Sequence, residues 1–132
     1  MCSQASVEDL NARLAAQGHG AVDLRRFRPN IVLSGIPAHD EDHVQGLSWQ
    51  AEDGQVVLQP VKPCSRCPMP NVDPDTAAVN PLLSDVLQSY RQDRRLDGAI
   101  SFGMNAIATQ GVSEEVEPVL RVGQVLDIQY TL

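Results

Sequence analysis

The segment Val61-Lys62-Pro63-Cys64-Ser65-Arg66-Cys67-Pro68-Met69-Pro70-Asn71-Val72-Asp73-Pro74 contains two of the three cysteines of this 132-residue chain. The permanent positive charge of Arg66 beside Cys67 favours the thiolate form of that sulfur, which is the form that ligates metals or attacks electrophiles. Prolines occupy positions 60, 63, 68, 70 and 74, and proline cannot donate a backbone hydrogen bond. The segment is therefore predicted to be an irregular loop without a long helix or a central strand.

Regular secondary structure is predicted on both sides of this loop. Before it, Trp49 begins an extended region that turns at Glu52-Asp53-Gly54 and continues through Val61, which is typical of an Asp-Gly hairpin. After it, Asn80-Pro81 pairs an N-cap residue with a proline at the first helical position and predicts a helix that ends near Arg94. The loop is thus expected to connect a strand to a helix.

The remaining elements are predicted from capping residues and apolar periodicity. Ser6-Val7-Glu8-Asp9 resembles a capping box, and the helix that it begins should stop at Gly18. Ile31-Val32-Leu33 predicts a buried strand, whereas the acidic stretch from His39 to His43 predicts a solvated loop. Alternating apolar and polar residues predict further strands in two stretches, 98–108 and 119–132. Strands, about five or six in number, should therefore dominate the core beside two helices.

The size and charge of the chain exclude several classes of protein. Its 132 residues, 42% of them hydrophobic, suit a single small domain with one core. Seventeen acidic against ten basic residues give a net charge of -7, which argues against binding to nucleic acid or to a membrane surface. No apolar run approaches the roughly 20 residues of a membrane span, and the N-terminus opens no signal sequence. We therefore expect a soluble, cytoplasmic protein.

Two clusters of arginine could still bind one small anionic ligand. The better cluster consists of Arg25, Arg26 and Arg28. The second consists of Arg91, Arg94 and Arg95. A short positive patch of this kind suits a single small anion better than a polymer.

The Cys-x-x-Cys pair has three common uses. A zinc site needs four ligands, and the residues that could complete it are Cys2, His19, His39 and His43. The order of the cysteine and histidine pairs would be the reverse of the usual one, which argues against zinc. A thioredoxin-type redox pair needs a following helix, and Pro68 and Pro70 argue against one. In the third use a single thiolate ligates a cofactor metal, and Arg66 beside Cys67 favours this interpretation.

Five short motifs occur in a fixed order along the chain. They are Phe27-Arg28-Pro29-Asn30-Ile31, Pro63-Cys64-Ser65-Arg66-Cys67, Val72-Asp73-Pro74-Asp75-Thr76, Phe102-Gly103-Met104-Asn105 and Val122-Gly123. With these motifs the chain resembles the MOSC domain, the C-terminal domain of molybdenum-cofactor sulfurases, and most of all its amidoxime-reducing branch. The resemblance runs from about Ala5 to the end of the chain.

The resemblance implies a mainly β, barrel-like fold with two peripheral helices. It also implies that Cys67 is the catalytic residue and ligates molybdenum beside the dithiolene of the molybdenum cofactor, molybdopterin with Mo. Arg28, Asn30, Ser65 and Arg66 match the positions that hold the pterin and its phosphate. Guanidinium groups offer fork-like donors to phosphate, and an amide can both donate to and accept from a pterin edge.

Three other residues near the thiol carry separate expectations. Asp73 in its Val-Asp-Pro turn is expected to accept backbone hydrogen bonds and not to deliver protons. Cys64 could be a second ligand, a redox partner or a small buried residue, and the last is our default. Ala77 stands where glycine is usual in the family, which matters only where the backbone needs a positive φ.

The chain starts midway through the usual family pattern, near Ser3-Gln4-Ala5-Ser6. We therefore expect one MOSC domain over residues 1–132 that lacks the N-terminal part of the pattern. Such a chain would be a fragment, would be completed by another chain, or would have lost function. Strand edges left open by a partial barrel would favour a homodimer.

The function that the resemblance implies is reduction of N-hydroxylated small molecules by a molybdenum-dependent oxidoreductase. The chain lacks the four-cysteine spacing of an iron–sulfur ferredoxin, so a separate electron donor is expected, either ferredoxin-like or cytochrome-type with its reductase. The alternatives are a non-catalytic module that carries molybdopterin or sulfur, and a truncated structural domain.

Overall fold

The computed structural model describes residues 1–131, and within them it contains two α-helices and six strands. The helices are α1 (Gln4–Ala16) and α2 (Leu82–Tyr90). The strands are β1 (Cys2–Ser3), β2 (Val32–Leu33), β3 (Val44–Ala51), β4 (Gly54–Ser65), β5 (Ser101–Gln110) and β6 (Asp127–Tyr130). The predicted numbers of helices and strands are confirmed. Leu132, the last residue of the strand predicted over 119–132, lies outside the described residues.

Four of the strands form one antiparallel sheet in the order β5-β4-β3-β6. Strands β3 and β4 form the predicted hairpin, in which Trp49 lies opposite Val56 and Ala51 lies opposite Gly54. Because β5 and β6 are two different edge strands, the sheet formed within residues 1–131 is open. The fold is therefore a mixture of α and β. Of the predicted mainly β, barrel-like fold with two helices, the sheet and the helices are confirmed, whereas no closed barrel forms within residues 1–131.

Strand β4 extends further than predicted, through Pro60 and Pro63 to Ser65. Its pairing with β3 ends where Leu58 faces Leu47, so the part of β4 that carries these prolines does not need hydrogen bonds to β3. On this side of the strand, Pro60 and Pro63 therefore cost no hydrogen bond to β3. The irregular segment begins only after Ser65, and Cys64 lies within the strand.

The chain divides into two compact units. The first consists of Met1–Asp42 and Pro63–Met104, and the second of His43–Lys62 and the chain from Asn105 onward. The core of the first unit is formed by Cys2, Val7, Leu10, Leu14, Phe27, Leu83, Val86, Leu87 and Phe102. Buried side chains of the second unit include Val44, Leu47, Trp49 and Val56. Every candidate cofactor residue lies in the first unit.

The two helices begin and end at capping residues. Helix α1 starts earlier than predicted because Ser3, and not Ser6, is its N-cap, and the Ser3 Oγ accepts a hydrogen bond from the Ser6 backbone N at 3.1 Å. Helix α2 begins at Leu82, one residue later than predicted, with Pro81 and not Asn80 as its N-cap, and it ends at Tyr90. The Asn80 Oδ1 still accepts a hydrogen bond from the Leu82 backbone N at 3.0 Å. Within residues 1–131, no helix is both long and apolar enough to span a bilayer.

Glu41 is fully buried, which corrects the prediction of a solvated acidic loop. It lies in a short 3-10 helix, Asp40–His43. Its carboxylate accepts hydrogen bonds from the Ser3 backbone N at 3.0 Å and from the Ser6 Oγ at 2.7 Å. The His39 backbone N in turn donates to the Ser6 Oγ at 2.7 Å. A buried carboxylate therefore secures the start of α1.

Glu41→Ala is expected to lower the free energy of unfolding by about 3 kcal/mol, because two buried donors on Ser3 and Ser6 lose their acceptor. Urea unfolding followed by circular dichroism measures the change. Glu8→Ala, on the exposed face of α1, is the matched control and should change the same quantity by less than about 0.5 kcal/mol. Equal effects of the two substitutions would contradict the role given to the buried carboxylate.

Candidate functional site

Arg28 follows a short 3-10 helix, Leu24–Phe27, and has a left-handed backbone with φ 49° and ψ 48°. This conformation is uncommon for a residue with a side chain, and such positions cluster at functional sites. The Arg28 side chain is exposed and forms no ion pair with any residue from 1 to 131. It lines a shallow groove of about 460 Å³ together with Asp23, Leu24, Arg25, Pro29 and Val32. Arg28 is thus available to an anionic ligand.

The other two arginines of this cluster are held by carboxylates. Arg25 donates through both Nη atoms to Asp75, at 3.1 and 2.8 Å. Arg26 donates to the Pro70 carbonyl at 3.2 Å and lies 3.5 Å from Asp73. These contacts join the 3-10 helix to the segment after the cysteines. The predicted three-arginine patch is therefore wrong, since two of its members serve to connect segments.

The second predicted arginine patch is also largely paired. The Arg91 Nη2 lies 2.8 Å from the Asp42 carboxylate, and Arg95 lies 2.7 Å from Asp93. Hydrogen bonds from Arg95 hold the pKa of the Asp93 carboxyl below its ordinary value. Arg94 remains exposed. An anion site at this second patch is not supported by these contacts.

Cys67 lies just beyond the end of β4, and its side chain is exposed. Arg66, the residue before it, is anchored in the protein. The Arg66 backbone N donates to the Ile100 carbonyl at 2.9 Å. The Arg66 side chain donates to the Phe27 carbonyl at 2.9 Å and to the Phe102 carbonyl at 2.7 Å. The exposed thiol is therefore attached to a fixed point of the backbone.

Phe27 and Phe102 form a buried aromatic pair that sequence reasoning missed. Their ring centroids are 4.0 Å apart with an interplanar angle of 13°. The His39 ring packs edge-on against Phe102, with centroids 5.7 Å apart. Each phenylalanine is the first residue of one of the five motifs, and this position was the available indication in the sequence. The pair brings the first and fourth motifs together in the core of the first unit.

The Asp73 turn is stabilised as predicted. The Asp73 Oδ1 accepts hydrogen bonds from the backbone N of Asp75 at 2.8 Å and of Thr76 at 3.2 Å. The turn closes with the Ala77 backbone N donating to the Asp73 carbonyl at 2.9 Å. Ala77 has φ 61°, a left-handed conformation that favours glycine. The backbone at Ala77 is therefore strained.

Ala77→Gly is expected to raise the free energy of unfolding by up to about 1 kcal/mol, because glycine adopts a positive φ without the steric cost paid by alanine. Thermal and urea unfolding measure the gain. Ala78→Gly, one residue further on, is the matched control and should be neutral or destabilising. A gain at position 78 equal to that at position 77 would contradict the explanation.

The remaining candidate residues differ in exposure. Asn30 and Ser65 are exposed, and Ser65 is the last residue of β4. Cys64, predicted to be buried, is only partly buried, and its Sγ lies 3.9 Å from the Ser65 carbonyl. Cys2 is fully buried, and burial raises the pKa of its thiol. Cys67 is therefore the most accessible of the three thiols.

The described part of the chain, residues 1–131, brings together no group of three or more His, Cys, Asp or Glu side chains that could hold a metal ion. The His39 Nε2 lies 3.2 Å from the Asp9 carboxylate, and its ring also faces the Tyr90 ring. His39 is thus part of the core packing, which argues further against the zinc interpretation. A cofactor metal that takes one protein thiolate does not require such a cluster.

A family model, the MOSC domain, matches residues 1–127, which include every candidate site residue. The chain belongs to the MOSC domain family. The resemblance found in the motifs is thereby confirmed. Four of those motifs lie wholly or mainly in the first unit of this MOSC domain, whereas Val122-Gly123 lies in the second.

Curated relatives of this MOSC domain are much longer proteins. Mitochondrial amidoxime-reducing component 1 of Homo sapiens is 39% identical over 132 residues, covering 92% of this chain and 36% of the relative. Mitochondrial amidoxime reducing component 2 of Rattus norvegicus is 40% identical over 95 residues, covering 69% of this chain and 25% of the relative. Molybdenum cofactor sulfurase of Solanum lycopersicum is 28% identical over 131 residues, covering 94% of this chain and 15% of the relative. This MOSC domain therefore spans 36% or less of the length of these three relatives.

Proposed function

We propose that this MOSC domain binds the molybdenum cofactor and serves in the reduction of N-hydroxylated compounds. The observation that carries the proposal is the exposed Cys67 sulfur beside an anchored arginine, in a chain whose family is the MOSC domain. The names of the human and rat relatives, amidoxime-reducing components, support the class of reaction. Amidoximes are N-hydroxylated amidines, so a small molecule of this kind is the substrate class that we propose.

The donors on this chain fit the cofactor in part. Cys67 offers one soft, anionic sulfur ligand of the kind that suits a transition metal. Arg28, which forms no ion pair within residues 1–131, offers a guanidinium fork for a phosphate beside an open groove. The exposed Asn30 and Ser65 add an amide and a hydroxyl. Arg66, by contrast, directs its side chain toward protein carbonyls.

The chemistry divides between the cofactor and the chain. When bound, the molybdenum cofactor supplies the two-electron reduction that an N-hydroxylated substrate needs. Cys67 would hold the metal, and Arg28 would hold the phosphate end of the pterin. Three cysteines cannot provide the four ligands of a ferredoxin cluster. We propose that a separate ferredoxin-like or cytochrome-type protein and its reductase deliver the electrons.

Metal and pterin analysis of the chain, purified from a host that makes the molybdenum cofactor, tests the proposal. We expect molybdenum and pterin in equal amounts. With a reduced viologen dye as electron donor, the loaded protein should convert an N-hydroxylated amidine to the amidine. Liquid chromatography measures the amidine that forms. A purified chain with neither molybdenum nor pterin would contradict cofactor binding by these residues alone.

The sulfurase relative favours a second candidate function, the carriage of molybdopterin or a sulfur species without turnover. Bound cofactor without formation of the amidine would support carriage. A purely structural domain is the third candidate, and it requires that Cys67→Ala change neither the metal content nor the stability. The cytoplasmic location and the homodimer stay predictions.

A further inference from the structure

Arg66 connects the two chain segments that carry the candidate metal ligand and the candidate phosphate ligand. Its Nη1 donates to the carbonyl of Phe27 at 2.9 Å, and Phe27 directly precedes Arg28. Its Nε and Nη2 donate to the carbonyl of Phe102 at 2.9 and 2.7 Å. Arg66 itself directly precedes Cys67. One guanidinium therefore fixes the backbone beside Cys67 relative to the backbone beside Arg28.

The guanidinium of Arg66 has little capacity left for a ligand. An arginine has five N–H donors. Nε and Nη1 each direct one donor at a carbonyl, and Nη2 directs one at Phe102 and one toward the Cys2 Sγ at 3.8 Å. The Arg66 Cζ also lies 5.3 Å from the centre of the Phe27 ring. A phosphate that took two donors from Arg66 would have to break one of these contacts.

The positive charge of Arg66 is not cancelled by its surroundings. No carboxylate among residues 1–131 forms an ion pair with it. Burial raises the pKa of the Cys2 thiol, so the sulfur that Arg66 approaches stays neutral. Its partners are uncharged carbonyl groups, which orient the cation without neutralising it. The charge therefore still acts on an anion bound nearby.

We propose that Arg66 is a positioning residue that sets the place of Cys67 relative to Arg28, and not a direct ligand of the cofactor phosphate. This inference rests on the proposed function, because it takes Cys67 and Arg28 to hold the same cofactor. The planar guanidinium group is essential to this role, because its N–H groups donate hydrogen bonds to two carbonyls, of Phe27 and Phe102, that lie in different directions. A lysine ammonium keeps the charge but cannot reproduce the fork.

Arg66→Lys and Arg66→Met should therefore lower the molybdenum content of the purified chain to a similar extent, on the order of tenfold or more, as is usual for residues that orient a metal ligand. Arg94→Lys, at an exposed arginine outside the proposed site, is the matched control. It keeps a charge at an exposed side chain and should retain most of the cofactor. An Arg66→Lys protein with wild-type molybdenum content would overturn the proposal, because it would show that charge alone suffices.

Nuclear magnetic resonance of the cofactor-free wild-type protein, labelled with ¹⁵N-arginine, tests the same contacts without a substitution. We expect separate Nη signals for Arg66, because its carbonyl partners hinder rotation, and no change in its Nε signal when inorganic pyrophosphate is added. A single averaged Nη signal, or a shift of the Arg66 Nε signal with pyrophosphate, would overturn the proposal. This measurement is independent of molybdenum content, so its result is separable from a failure of the proposed function.

Discussion

Cys67→Ser is expected to remove nearly all molybdenum from the purified chain. A hydroxyl is a hard, neutral donor and does not replace a soft thiolate as a ligand to a transition metal. The fold should be unaffected, because Cys67 is exposed and lies beyond the end of β4, so the free energy of unfolding should change by less than about 0.5 kcal/mol. Mass spectrometry measures the molybdenum content, and fluorescence of the oxidised pterin measures the pterin content. Urea unfolding measures the free energy of unfolding.

Cys64→Ser is the matched control for this experiment. Cys64 lies three residues away, within β4, and is partly buried, so its substitution should affect stability more than metal content. Loss of molybdenum from both variants would show that the two cysteines share the metal. Loss from the Cys64 variant alone would transfer the ligand role to Cys64 and refute the assignment of Cys67.

Gly103→Ala is expected to lower the free energy of unfolding by at least about 3 kcal/mol. Gly103 has φ 81°, which costs an L-residue about 1–2 kcal/mol by itself. A Cβ at this position would also lie 2.6 Å from the Met1 carbonyl oxygen and 2.7 Å from the Cys2 Sγ, both in the interior of the first unit. Overpacking of this kind adds typically about 1–3 kcal/mol. Urea unfolding measures the loss.

Gly98→Ala separates the two contributions. Gly98 has φ 83°, close to that of Gly103, but a Cβ there would meet no atom within 4 Å. Its substitution should therefore cost only the backbone term, about 1–2 kcal/mol. If the two variants lose the same stability, the close approach of Gly103 to Met1 and Cys2 is not what requires glycine.

The elements that the sequence predicted well are those with local causes. The hairpin turn at Asp53-Gly54 and the helix after Asn80 depend on residues within a few positions of each other. The burial of Glu41 depends on Ser3 and Ser6, which are 38 and 35 residues away, and no local pattern indicates it. A barrel-like fold was expected from the resemblance, and residues 1–131 form an open sheet with two edge strands.

In the candidate site, too, local features could be predicted from the sequence and contacts between distant residues could not. The irregular backbone at Cys67 followed from the prolines of its own segment. The carbonyl partners of the Arg66 side chain lie 36 and 39 residues away, and the partner of Arg25 lies 50 residues away. A cluster of arginines in sequence indicates positive charge, but only tertiary contacts decide which charges remain available. The roles of Arg28, Asn30 and Ser65 stay predictions.

The exposure of Cys67 has a practical consequence for anyone handling the protein. Dissolved oxygen can couple such thiols from two molecules, which would produce a covalent pair during storage in air. A two-chain species on a sizing column is therefore informative about self-association only when fresh reductant is present.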